Sequence, residues 1–159
     1  MKLSQQDTVA VIRQALLFIL VLGNVGVAAE LLLLKHTDGF WQLIPFALIG
    51  MTLLVTAWYG LSRSRSSLRT LRVILVFCFV SGGVGVVQHF RGNLVYAAES
   101  NPSISGRELY LEAIMGSTPA LAPGTMVLLA LIGLAFVFRH PVFRGETRES
   151  NTSFPRTES

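Results

Sequence analysis

Four apolar blocks, residues 14–34, 43–61, 73–90 and 121–138, constrain this chain more than any other feature. Each can cross a bilayer, which takes roughly 20 residues at 1.5 Å rise per residue. In hydrocarbon every backbone N–H and C=O must be paired within the protein, so a crossing segment is a helix or part of a closed barrel. Barrel strands alternate apolar and polar residues over about 10 positions. The stretch "VILVFCFV", residues 73–80, does not alternate. The blocks therefore predict an all-α integral membrane protein with four transmembrane helices. Composition agrees, with 52% hydrophobic and 14% charged residues, where soluble domains carry about 25% charged.

The first block has a basic start and a small-residue V-A-A site before Glu30, as a secretory leader would. It reads instead as a retained span, because apolar character runs on through Leu31 to Leu34 and Arg13 sits too deep for a leader's charged region.

Charge sets the orientation. The link "SRSRSSLRTLR" carries Arg63, Arg65, Arg69 and Arg72 with no acid among them, and short basic loops stay on the cytoplasmic side. Four passes then put both termini in the cytoplasm, together with all but three of the 13 basic residues. The opposite side holds Lys35, Arg91 and Arg107 against Glu30, Asp38, Glu99, Glu108 and Glu112, and is net acidic. The basic balance is thus a signal of topology in a cell inner membrane. Nucleic acid is not the expected partner, since the arginine link has no aromatic residue for stacking; attraction to anionic lipid headgroups is.

Between the third and fourth blocks lies a long outer segment, residues 91–120. Within it "SGRELYLEAIMG", residues 105–116, has Ser105 three residues before Glu108, a capping-box spacing, and Gly116 as a stop. The stretch predicts a short amphipathic helix that either lies on the outer membrane surface or packs as a lid on the bundle. The tail, residues 139–159, is polar from Gly145 onward and is expected to be disordered.

Helices in lipid pack through small residues that let backbones approach. Gly23 and Gly26 in the first block, with Gly82 and Gly83 in the third, predict that these two helices make the tightest contact. Asn24 is expected to seek a partner on a neighbouring helix, with Ser81 as the candidate.

Glu30 lies about 6 Å below the outer boundary of its block, so it must pair, snorkel or take up a proton. His89 and His36 end the third and first blocks on the same side, and Glu112 lies in the loop above. These four residues form the candidate ligand or proton site, with a structural tie between helix ends as the preferred reading. Two loose histidines without metal-ligand spacing point to no metal and no haem, and His140 is expected to be too far away to join them. No cofactor is expected. Cys78 is the only cysteine, and the chain has no P-loop, dinucleotide fingerprint, nucleophile elbow or H-E-x-x-H. The sequence thus predicts a non-enzymatic accessory or interaction subunit that meets a larger membrane complex or its own copies. The alternative is an oligomeric small-molecule or ion transporter or sensor using the Glu30 and His89 rim, although transporters place polar groups nearer the midplane.

Overall fold

The computed structural model describes residues 4–34, 39–116 and 121–143. Among these the chain is helix and turn without strand: α1 (Gln5–Leu33), α2 (Phe40–Ser62), α3 (Arg65–Ser100), α4 (Gly106–Met115) and α5 (Leu121–Val137), followed by a 3-10 turn at Pro141–Phe143. α1, α2 and α3 are long and apolar enough to cross a membrane, while α5 is a shorter apolar helix. Phe18, Leu22, Leu54, Phe77 and Val80 face outward, an apolar surface that water would not tolerate on this scale and lipid would.

Each helix begins or ends where its polar residues permit. α1 starts at Gln5 because Ser4 and Asp7 form a reciprocal capping box, the Asp7 N–H donating to Ser4 Oγ and the Ser4 N–H to Asp7 Oδ2, both at 3.2 Å. The pair satisfies orphan amides that an apolar helix would leave bare. α3 begins at Arg65 because Ser64 Oγ accepts from the Ser67 N–H. It then runs 36 residues, far past the apolar block 73–90, because no proline interrupts it before Pro102. At roughly 54 Å it is much longer than a hydrocarbon core is thick.

The extension of α3 carries α4. Asn93 Nδ2 donates to the Ala113 carbonyl at 3.0 Å, and the Phe90 and Tyr110 rings stack at 6.3 Å. Ala113 is buried in this hairpin, but Tyr110, Leu111, Ile114 and Met115 are exposed. α4 is thus packed on α3. The capping box expected at its start is not formed, because Ser105 makes no side-chain bond to the helix and Gly106 takes a left-handed φ of +57°.

α5 lies between α1 and α3. It packs on both α3 and α1, while α2 packs mainly on α3. α1 buries Leu20, Asn24, Val27 and Leu31, and α3 buries Leu68, Leu71, Leu75, Cys78 and Gly82. The alternating steps of three and four are the seam that lets neighbouring helices interlock knob into hole. Between the two seams Gly133 of α5 brings its backbone against Leu75 on one side and Leu20 on the other.

This arrangement corrects the expected pairing of the first and third blocks. Gly23 faces Leu129 of α5, and Gly82 faces Val127 and the Pro123 carbonyl, so both glycines admit α5 rather than each other. Gly26 and Gly83 have open space where a side chain would stand. Asn24 donates from Nδ2 to the Leu20 carbonyl of its own helix at 2.7 Å rather than to Ser81. The sequence pattern identified which faces were small but carried no information on which helix fills them.

Candidate functional site

Polar side chains gather at two ends of the bundle. At the end formed by the link between α2 and α3, the last turn of α5 is held from three directions. The Arg13 guanidinium donates from Nη1 to the Phe136 carbonyl, and from Nη2 to those of Phe138 at 3.0 Å and Arg139 at 3.3 Å. These are carbonyls a helix end leaves without intrahelical partners, and a cation there also meets the negative pole of the helix dipole. Arg65 Nε donates to the Val142 carbonyl at 2.7 Å.

His140 is the third attachment. It is buried, although it belongs to the stretch read from sequence as tail. The Val142 N–H donates to His140 Nδ1 at 3.3 Å, so in the neutral ring the proton sits on Nε2, which donates to the Tyr59 hydroxyl at 3.1 Å. Tyr59 and Phe136 meet edge on at 5.5 Å, and the Arg63 guanidinium lies over the Tyr59 ring. Burial, and then the charges of Arg13 and Arg63, lower the His140 pKa below its usual value of 6.5.

A measurable pH dependence follows. A histidine whose pKa is lower folded than unfolded stabilises the fold fully above the unfolded value. That contribution is lost as pH falls from 6.5 towards the lower folded pKa, where the unfolded chain binds the proton first. Thermal unfolding in detergent should therefore give a falling Tm as pH drops below 6.5, and His140→Asn should flatten the profile. An unchanged slope in that variant would remove His140 as the cause.

At the opposite end Glu30, His89 and Glu112, the three rim candidates among the described residues, do not converge; His36 lies outside those residues. Glu30 is exposed on α1, about 100° around the helix from Leu31 on the buried stripe. It has no hydrogen bond or ion pair among the described residues; His36 and Lys35 lie outside them. His89 is half-buried on the α3 stripe that includes Gly82, Gly85 and Asn93, which meets the start of α5 and the end of α4. Its Nδ1 is buried without a hydrogen-bond partner among the described residues. Glu112 is exposed on α4, where with Asn93, Tyr96, Asn101 and Met115 it lines a pocket of about 370 Å³. α5 stands between the helices that carry Glu30 and His89. Among the described residues no group of three or more His, Cys, Asp or Glu is placed to hold a metal.

Sequence reasoning missed Asn93, whose amide is buried in a stretch read as loop, and the attachment built from Arg13, Tyr59 and His140. Arg13 did carry a signal: a cation set inside an apolar run must find acceptors, and the end of another helix is the richest source. No known protein family, curated protein or solved structure matches the chain.

Proposed function

We propose that the chain is a four-pass inner-membrane protein with both termini in the cytoplasm, acting as a non-enzymatic accessory or interaction subunit. The start of α1, the end of α2, the start of α3 and the end of α5 meet at one end through Arg13, Tyr59, Arg65 and His140, so the long helices alternate in direction. Alternation supports an even number of crossings. α5, with 17 residues, is at the short end of the range that spans a bilayer.

The interaction role rests on one observation. Glu30 is exposed on the apolar outer face of α1 beside exposed Ala29, one turn beyond Gly26, above which there is open space. A notch that admits a backbone, next to a carboxylate with no partner among the described residues, suits a second helix bringing a cation or hydrogen-bond donor. That helix belongs to a larger membrane complex or to another copy of the chain. The separation of Glu30 from His89 favours this reading over a transport site, which needs its titratable groups on one path.

Recovery of the tagged protein from mild detergent tests it. A specific partner should co-purify, and Glu30→Gln and Gly26→Leu should each reduce its recovery several-fold while the helical signal is unchanged. Recovery of the bare chain alone, or a partner indifferent to both variants, would defeat the proposal.

A further inference from the structure

We propose that α3 carries a binding site for an anionic phospholipid, with the headgroup at Arg69 and Arg72 and an acyl chain along Val73, Val76 and Phe77. This rests on the membrane reading above. The five residues recur at the spacing that places them on one helix face. All five are exposed, and together they line a shallow, open depression of about 410 Å³ on the helix face. Its chemistry changes along the helix axis from two guanidinium groups to hydrocarbon, as a phospholipid's does.

The two arginines are free to take that role. Arg65 of the same basic link is committed to the Val142 carbonyl and Arg63 lies over the Tyr59 ring. Arg69 and Arg72 have no hydrogen bond or ion pair among the described residues. No acid occurs between Asp38 and Glu99 in the sequence, and Asp7, which belongs to the same end of the bundle, is engaged by Ser4. The tail's Glu146, Glu149 and Glu158 lie outside the described residues and are matched in number by its own Arg144, Arg148 and Arg156. A phosphate is then the anion of matching charge that the surroundings supply. Guanidinium groups take phosphate oxygens two at a time, which fixes the headgroup as well as attracting it. Two arginines one turn apart match a lipid with two phosphates better than one with a single phosphate, so cardiolipin is the probe of choice.

The distinction to be measured is between a seated lipid and arginines that merely lie among headgroups. The full chain is solubilised in mild detergent with equal cardiolipin and phosphatidylcholine, and the lipid retained is read by native mass spectrometry. Cardiolipin should be retained in preference, Arg69→Gln with Arg72→Gln should lower its retention about thirtyfold, and Phe77→Ala should lower it less. Arg107→Gln, on α4, should change nothing. Equal retention of both lipids, or a double variant that binds as the wild type does, overturns the proposal. Displacement by millimolar inorganic phosphate, with Phe77→Ala silent, identifies a bare phosphate site and also overturns it. A chain that stays dissolved without detergent refutes the membrane reading instead, whereas loss of the lipid alone leaves that reading intact.

Discussion

Arg13→Ala is expected to lower stability by about 2–4 kcal/mol, because it strips charged donors from one partly buried and two exposed carbonyls at the end of α5. Each such bond is worth about 1.5–3 kcal/mol when its partner stays out of water. The carbonyls of Phe138 and Arg139 are at exposed positions, so water recovers part of their loss. Arg13→Lys should give an intermediate value, since an ammonium on a flexible stem does not reproduce a planar fork that reaches three acceptors. Thermal or denaturant unfolding in detergent measures the difference. A second readout separates this role from a general loss of packing: protease cleavage near His140 should accelerate in Arg13→Ala while the helices stay intact. If Arg13→Ala melts with the wild type and cleaves no faster, Arg13 does not hold α5.

A matched pair of glycine variants should differ just as sharply. At Gly82 a Cβ would stand 2.9 Å from the Pro123 carbonyl oxygen and 3.1 Å from the Val127 nitrogen. Both are backbone atoms, so no rotamer change relieves the clash and α3 must part from α5. Gly82→Ala is therefore expected to cost about 1–3 kcal/mol, the usual range for overpacking. At Gly83, one residue on, the same methyl meets open space. Gly83→Ala should be neutral or stabilising by up to about 1 kcal/mol, through the better helix propensity of alanine. Unfolding of the two single variants side by side is the check. Equal effects would mean that α3 does not meet α5 along the Gly82 face.

The helical class was legible because hydrocarbon leaves the backbone few options: the long apolar blocks 14–34, 43–61 and 73–90 lie within α1, α2 and α3, except that Leu34 caps α1. The ends of those helices were not legible from hydropathy. α1 extends back to Gln5 on a capping box, "SQQD", that the polar start of the chain concealed, and α3 extends to Ser100 through residues that are helical but no longer uniformly apolar. Capping and propensity, not apolarity, decide those boundaries.

Helix partners were less legible still. Gly23 and Gly82 signal close approach, yet nothing in their spacing says that α5 comes between α1 and α3. Glu30, His89 and Glu112 share a side of the sequence-derived topology without sharing a site, because side is fixed by which helix end a residue occupies and proximity by the angle around the helix. Glu30 and His89 differ in the second. Tyr59 and His140 illustrate the converse, lying far apart in the chain and meeting because α2 and α5 end together.

Cysteine accessibility in intact cells tests the central claim, a chain of alternating helices with its basic end inside. In a Cys78→Ser background, single cysteines replace exposed Ser66, at the start of α3, and exposed Ser103, beyond the end of α3, and a third replaces Ser153 in the tail. A membrane-impermeant maleimide should label the Ser103→Cys chain at once, and the Ser66→Cys and Ser153→Cys chains only after the membrane is permeabilised. Labelling of Ser66→Cys in intact cells, or of Ser153→Cys together with Ser103→Cys, would contradict it.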